Sequence, residues 1–116
     1  MEPARIREIA VSRWWNGADL SAPLRTVDGR ELSIVYRGSW SHGLGPDFQK
    51  AFIDFGEGRL LAGSIEIHLS TSAWRRHEHD RDPRYNDTIL HIVLDHDGGE
   101  TRRSDGRIVP VAVIEP

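Results

Sequence analysis

The spacing of apolar residues changes along the chain from a helical to a strand-like period. Between residues 3 and 16, apolar side chains recur every three or four positions, as they do on one face of an α-helix. Pro3 suits the first turn of a helix, and Asn16-Gly17 suits its end. We therefore predict one amphipathic helix at the N-terminus.

The rest of the chain has the pattern of strands separated by turns. Asp28-Gly29 favours the positive φ angles of a two-residue turn and predicts a first hairpin, and Gly56-Glu57-Gly58 predicts a second. A glycine- and proline-rich loop separates the two hairpins, and a short helix-like segment follows Ser72. Residues 79–83 are poorly suited to a helix and are predicted to form a polar surface loop. Strands are predicted at residues 24–27, 30–36, 48–55, 59–69, 88–94 and 108–114. Pro110 suits an edge strand, and the nearly continuous apolar run of residues 88–94 suits a central one.

Length and composition describe an ordinary globular chain. The 116 residues fit a single domain, residues 1–116, and the net charge of -3 argues against a broad basic surface for duplex nucleic acid. The chain has no cysteine, which excludes zinc sites with sulfur ligands. No apolar stretch is long enough for a secretory signal or a membrane span. We expect a cytoplasmic protein without membrane contact, whose oligomeric state is open and includes a homodimer.

Asp47 and Glu66 are the first candidates for chemistry. Asp47 follows the turn residue Pro46, and Glu66 lies two positions before His68 in a predicted strand, so Glu66 and His68 share one face. If the two segments pair, both carboxylates and the imidazole converge, and the carboxylates are suited to binding Mg²⁺ or Mn²⁺. His68 would position or deprotonate a water molecule. The alternative is structural: Asp47 as a turn residue and Glu66 as a solvated strand residue.

Further histidines and aromatic residues could surround this site. His77 and His79 face the same side only if their segment is extended, and His91 lies within a predicted buried strand. With His68, these residues could form a nitrogen-rich site, for which Zn²⁺ is the alternative metal. Trp74 and Tyr85 could stack on a base, or Trp74 could anchor its segment on the sheet. We assign His77, His79, Tyr85, His91 and Trp74 to a second shell or to substrate contacts.

The order of these motifs resembles a bacterial domain-of-unknown-function family, number 2851 in the usual series. The segments that carry the resemblance are Thr26 to Arg30, Gly45 to Phe48, Gly63 to His68, Trp74 with His77 and His79, Asp82 to Tyr85, and Ile89 to Val93. The family has no established activity. The resemblance therefore implies a grouping and no mechanism.

The order of predicted elements is also similar to the PD-(D/E)XK nuclease core. That similarity implies an α+β fold like that of restriction endonucleases, with an N-terminal helix and a mixed, mostly antiparallel sheet of about five strands. An all-β sandwich with one helix is the alternative. In the nuclease core, two acids bind Mg²⁺ and a lysine aids the attacking water; here Asp47 and Glu66 match the acids, and His68 stands at the lysine position.

Three functions follow from these expectations. The first is a divalent-metal-dependent phosphodiesterase acting on nucleic acid, with Asp47, Glu66 and His68 as catalytic residues. The second is a noncatalytic binding module with a degenerate nuclease core, because the lysine is missing. The third is a histidine-rich metalloenzyme with a small-molecule substrate. The metal content, the metal dependence of stability and the effect of Asp47→Ala on cleavage would distinguish them.

Overall fold

Helix α1, Pro3–Gly17, opens the chain in the computed structural model, which describes residues 3–43 and 45–116. Its buried residues Val11 and Trp15 pack into the core. The guanidinium of Arg37 donates hydrogen bonds to the carbonyl oxygens of Trp15, at 2.5 Å, and Ala18, at 2.7 Å. Carbonyls at a helix C-terminus have no donor within the helix, so Arg37 fixes this end of α1 against the sheet. The predicted N-terminal helix is confirmed.

Nine strands and a second, short helix follow within the described residues. The strands are β1 Leu24–Arg25, β2 Glu31–Tyr36, β3 Ser39–Trp40, β4 Phe48–Asp54, β5 Leu60–Ser70, β6 Thr88–Asp95, β7 Thr101–Arg102, β8 Ile108–Val109 and β9 Val111–Val113. Between β5 and β6 lie helix α2, Ala73–Arg76, and two 3-10 turns, His79–Arg81 and Pro83–Tyr85. Leu44, in the loop predicted before β4, lies outside the described residues.

Seven of the strands form one mixed sheet in the order β1-β2-β4-β5-β6-β9, with β3 also paired to β4. Pairing is antiparallel from β1 to β5 and parallel from β5 through β6 to β9. The first and last strands approach each other, because Thr26 bridges to Ala112 and the amide of Val27 donates to the carbonyl of Val111 at 2.8 Å. The sheet is therefore curled into a nearly barrel-like shape.

The prediction of an α+β nuclease core with five strands is wrong. The structure is mostly β with one main helix, and its sheet is larger and more curved than that core. Register shifts in the β2–β4, β4–β5 and β5–β6 pairs introduce bulges, and bulges increase the local twist and bend of a sheet. Within the described residues the all-β sandwich is also not observed, because the seven-stranded sheet curls toward closure and the second sheet consists of the short strands β7 and β8.

Several local predictions agree with the structure. Both hairpins form, with Gly29 at φ 91° in the first turn, where an L side chain would be strained. Pro110 splits the predicted last strand into β8 and β9, and β9 lies at the end of the sheet order. The segment predicted as a loop around His79 contains the two 3-10 turns instead.

The core lies between α1 and the concave side of the sheet and continues through the central strands. Its fully or almost fully buried apolar members include Trp15, Phe48, Ile53, Ile65, Ile67, Leu90 and Ile92. Strands β5 and β6 share the longest pairing, so residues of these strands are held in fixed register. Among the described residues, no helix has the length and apolar character needed to cross a membrane.

Candidate metal centre

Asp47 and Glu66 interlock across the β4–β5 pair. The backbone amide of Asp47 donates to Glu66 Oε1 at 3.0 Å, and the amide of Ile67 donates to Asp47 Oδ2 at 2.9 Å. Glu66 is 4% exposed, and Asp47 is partly buried beside it. Each carboxyl group is thus held by the backbone of the strand that carries the other. The pairing of these two segments, which the sequence predicted as a hairpin, brings the two acids together.

Burial changes the protonation of this pair. Loss of solvent, together with the negative charge of Glu66, raises the pKa of Asp47 to about 8. Burial also raises the pKa of Glu66, to about 7, although the hydrogen bonds from Asp47 act in the opposite direction. The two carboxyl groups are in contact and the pKa of Asp47 is the higher one, so Asp47 takes up a proton first as the pH falls. Protonation avoids two adjacent negative charges in this buried pair.

Two imidazole rings approach the second oxygen of Glu66. His79 Nε2 lies 2.9 Å from Glu66 Oε2, and His68 Nε2 lies 3.3 Å from the same atom. His68 is 2% exposed and His79 is 7% exposed, so both contacts are shielded from water. The side chain of Glu66 points to the same face of β5 as His68, as the alternation of the strand predicts. Glu66 is the centre of the cluster.

The turn after α2 brings His77 and His79 to the same place. His77 caps the helix, and Glu78 follows with φ 58° and ψ 30°, a left-handed conformation that is uncommon for a residue other than glycine. This reversal directs both histidine rings toward His68, with ring centroids 5.1 and 5.3 Å from its ring. The sequence allowed this arrangement only for an extended segment, and the structure achieves it with a turn.

The donor atoms have the spacing of a metal site. One ligand atom from each of His68, His77 and His79 lies within 4.8 Å of the others, and this cluster could hold a metal ion. Zinc–nitrogen bonds are about 2.0–2.1 Å long, so ligand atoms around one tetrahedral ion are roughly 3.4 Å apart. The contacts of Glu66 with the two buried histidines already have this spacing. Exposed His77 has the freedom to close the remaining gap.

The buried histidines are kept neutral, as metal ligands must be. Burial lowers the pKa of His68 well below its ordinary value, and the nearby histidines His91, His79 and His77 act in the same direction. Burial likewise lowers the pKa of His79. A neutral imidazole has a lone pair available for coordination, whereas an imidazolium has none. A neutral ring can bind an ion through the nitrogen that does not carry its proton.

The predicted surrounding residues support the cluster in different ways. The ring of Tyr85 stacks on His79 with centroids 3.7 Å apart, and Trp74 contacts His79 edge-on at 5.3 Å. Trp74 is fully buried and its indole Nε1 donates to the carbonyl of Arg102 at 2.8 Å, so this residue anchors its segment. Burial, with the charges of Glu66 and Asp47, raises the pKa of Tyr85. A direct contact of these residues with substrate stays a prediction.

A chain of hydrogen bonds extends from His68 into the protein. His68 Nδ1 is 2.8 Å from His91 Nε2, and His91 Nδ1 is 2.7 Å from the hydroxyl oxygen of Thr101. His91 and Thr101 are completely buried. His91 therefore contacts the cluster through His68.

Two residues of this neighbourhood were missed in the sequence. Glu8 of α1 is half-buried, and burial raises the pKa of its carboxyl group. The charge of His77 lowers this pKa and the charge of Asp47 raises it. Glu8 is therefore close to the cluster. A signal existed, because Glu8 has helical spacing with the buried residues Val11 and Trp15 and is thus a charged residue on the buried face. Thr101 gave no such signal. It lies in a polar segment after β6, and its contact with His91 arises only in the folded structure.

The comparisons identify a family without an activity. The model of a family described as "Protein of unknown function (DUF2851)" matches residues 8–116. The match spans almost the whole chain, so the chain belongs to this family. Comparison with curated proteins gave no significant match, and comparison with solved structures gave none either. The similarity to the PD-(D/E)XK core, expected from the order of motifs, is not supported by a related structure.

Proposed function

We propose that this DUF2851 protein is a hydrolase that uses a divalent transition metal to cleave phosphodiester bonds. The main support is the approach of two neutral ring nitrogens, those of His68 and His79, to one oxygen of Glu66 at 3.3 and 2.9 Å. His77 adds a third nitrogen within 4.8 Å of those of His68 and His79, and the carboxyl group of Asp47 adjoins Glu66. Such a concentration of ligand atoms around a buried carboxylate is typical of a metalloenzyme site.

The ligand set favours particular metals. Three imidazoles with one or two carboxylates suit Zn²⁺, Mn²⁺ or Fe²⁺, whereas Mg²⁺ prefers oxygen ligands and retains most of its water. We therefore propose Zn²⁺ or Mn²⁺, held by His68, His77, His79 and Glu66. Asp47 lies one hydrogen bond away and can act on a water molecule at the site.

The residues of the chain have distinct roles in the proposed reaction. When bound, the ion supplies the positive charge that polarises a phosphoryl oxygen and makes water more acidic. The positive charge of a bound ion would lower the pKa of Asp47, and the ionised carboxylate, fixed by the amide of Ile67, could then accept the proton of the attacking water. Tyr85 keeps its proton, since its pKa is raised, and can donate a hydrogen bond to the phosphate.

Arginines near the site suggest nucleic acid as the substrate. Arg76, Arg81 and Arg84 are exposed on the same segment, between β5 and β6, that carries His77 and His79. The charge of Arg76 acts on both Glu8 and His68, which places this guanidinium beside the cluster. Guanidinium groups bind phosphates through paired hydrogen bonds. A local group of this kind is compatible with the negative net charge of the chain.

The proposed activity is tested by hydrolysis assays with a matched variant. Protein purified without chelator is incubated with labelled single-stranded DNA, RNA and bis(p-nitrophenyl) phosphate in the presence of Zn²⁺ or Mn²⁺. Asp47→Asn preserves the size and hydrogen bonds of the side chain and should lower the rate by about 10²- to 10⁴-fold, the usual contribution of a general base. Asp54→Asn, at the other end of β4, is the control and should keep full activity.

Two other outcomes have a clear meaning. Equal activity of the wild type and Asp47→Asn would contradict the role of Asp47 and the assignment of the site. Stoichiometric metal binding without hydrolysis of any phosphodiester would support a noncatalytic binding module instead. Circular dichroism establishes that Asp47→Asn is folded, which the first comparison requires.

A small phosphate ester is a second candidate substrate. Glu66 and His68 are almost fully buried, and only His77 of the three histidines is exposed, so access to the site is narrow. Replacement of Arg81 and Arg84 by alanine distinguishes the candidates. Cleavage of nucleic acid should fall and become less sensitive to salt, whereas cleavage of a small ester should be unchanged.

A further inference from the structure

The hydrogen bonds from His68 to Thr101 form a continuous buried chain that can run in either direction. A neutral imidazole carries one ring proton, so one of its two nitrogens donates and the other accepts. Each contact, 2.8 Å between the rings and 2.7 Å to Thr101, needs one donor and one acceptor. The direction of one hydrogen bond therefore fixes the direction of the other.

Thr101 determines the direction in the absence of a metal. Its hydroxyl is completely buried, and His91 is its hydrogen-bond partner among the described residues. A buried hydroxyl that donates to no acceptor is unfavourable, so Thr101 donates to His91 Nδ1. The proton of His91 is then on Nε2 and is donated to His68 Nδ1. The proton of His68 is on Nε2, next to the Glu66 carboxylate.

Metal binding requires the opposite direction. His68 Nε2 is the nitrogen that faces Glu66 and His79, and it can coordinate an ion only through its lone pair. The proton of His68 must then be on Nδ1, donated to His91 Nε2, and the proton of His91 must be on Nδ1, donated to the oxygen of Thr101. Neither ring changes its charge in this exchange; only the positions of the ring protons change.

We propose that His91 and Thr101 form a reversible hydrogen-bond chain that sets which ring nitrogen of His68 carries its proton, and thereby whether His68 is in its metal-binding tautomer. This inference rests on the proposed function, because it assigns the metal ligand His68. His91 is a positioning residue: it touches no ligand position itself and acts through His68. It provides the acceptor that a coordinated His68 needs on its far side.

The tautomers are measured directly by NMR of the histidine ring nitrogens. The full-length chain, labelled with ¹⁵N in histidine, is compared in chelator and with one equivalent of Zn²⁺, which is diamagnetic. In chelator we expect both His68 and His91 to be protonated on Nε2. With Zn²⁺ we expect both to be protonated on Nδ1, although His91 is not a ligand. Exposed His42, outside the cluster, serves as the internal reference and should not change.

A pair of variants tests the positioning role by affinity. His91→Phe fills the buried position with a ring but removes the acceptor for His68 Nδ1–H, so Zn²⁺ affinity should fall about 10- to 100-fold. Thr88→Val is the control: it replaces a buried hydroxyl of β6 that has no hydrogen-bond partner among the described residues, and affinity should not change. An affinity of His91→Phe equal to that of the wild type would overturn the positioning role.

The outcomes separate this inference from the proposed function. If Zn²⁺ binds and the His91 tautomer stays on Nε2, the reversal is overturned while the metal site stands. If the wild type binds neither Zn²⁺ nor Mn²⁺, the proposed function fails and the reversal fails with it. In that case the spectrum in chelator still decides the metal-free direction, and protonation of both rings on Nδ1 would overturn it. The wild-type spectra need no variant to fold.

Discussion

Asp47→Asn should make the metal-free protein less sensitive to alkaline pH. An asparagine resembles a permanently protonated Asp47: its amide can donate to Glu66, and its oxygen can accept the amide of Ile67, as the aspartate does at 2.9 Å. Wild-type Asp47 must ionise next to Glu66 as the pH rises, because its pKa is about 8. The variant avoids a second negative charge in the buried pair.

The sign and size follow from the pKa of Asp47 in the two states. In unfolded chains aspartate ionises near pH 3.9, so between this value and about pH 8 the folded protein binds one proton more than the unfolded protein. The stability that this proton contributes is present at low pH and is lost as the pH rises to about 8. From about pH 6.5 to about pH 8, the wild type should lose roughly 1.5–2 kcal/mol through Asp47, at 1.36 kcal/mol per pH unit.

Urea denaturation in chelator at several pH values in this range measures the effect. The range avoids lower pH, where the buried histidines would affect stability as well. Their pKa values are lowered in the folded state, so below about pH 6.5 the unfolded chain takes up protons that the folded protein does not, and stability falls. Glu66 contributes in the same sense in both proteins, so the difference between the two slopes isolates Asp47. Asp54→Asn should retain the wild-type slope. Parallel curves for the wild type and Asp47→Asn would refute the account of a protonated, buried Asp47.

Two further predictions concern a ligand and the packing of the sheet. His77→Ala should weaken Zn²⁺ binding at least tenfold in a competition titration, with little change in stability because His77 is exposed. His42→Ala is the control and should bind Zn²⁺ like the wild type. Equal Zn²⁺ affinities of His77→Ala and the wild type would exclude His77 as a ligand. Gly63→Ala should lower the free energy of unfolding by about 1–3 kcal/mol, since a Cβ there would lie 2.6 Å from the backbone oxygen of Asp87. Gly17→Ala, with open space around it, should not; similar losses in both would contradict the close packing at Gly63.

The sequence was sufficient for the local elements and for the first half of the site. A turn at Asp28-Gly29 and alternation along β5 depend on neighbouring residues, so the hairpins and the shared face of Glu66 and His68 could be predicted. The curvature of the sheet could not, because it results from register shifts between strands that no single segment encodes. The comparison with a five-strand core therefore gave the wrong fold.

The second half of the site depends on contacts that are distant in sequence. Glu78 adopts a left-handed conformation that its residue type does not favour, and this conformation brings His77 and His79 toward His68, with His79 in contact with Glu66. Tertiary packing imposes it, so the preference of the residue alone pointed to a surface loop. Thr101 meets His91 in the same way, through the placement of β7 beside the sheet. Neither contact leaves a periodic pattern in the sequence.

The balance of charge at Glu66 gives the strongest physical reason to regard the cluster as a ligand site. Burial of two adjoining carboxyl groups is unfavourable, and the neutral histidines beside them do not supply the positive charge that would compensate for it. Apolar side chains at positions 47 and 66 would give a higher free energy of unfolding, so the presence of Asp47 and Glu66 indicates a role other than packing. A divalent cation would supply the missing positive charge at the atom where the two imidazoles and Glu66 already meet. The lowered pKa values of His68 and His79 and the raised pKa of Asp47 are therefore what we expect of a cluster that could hold a cation.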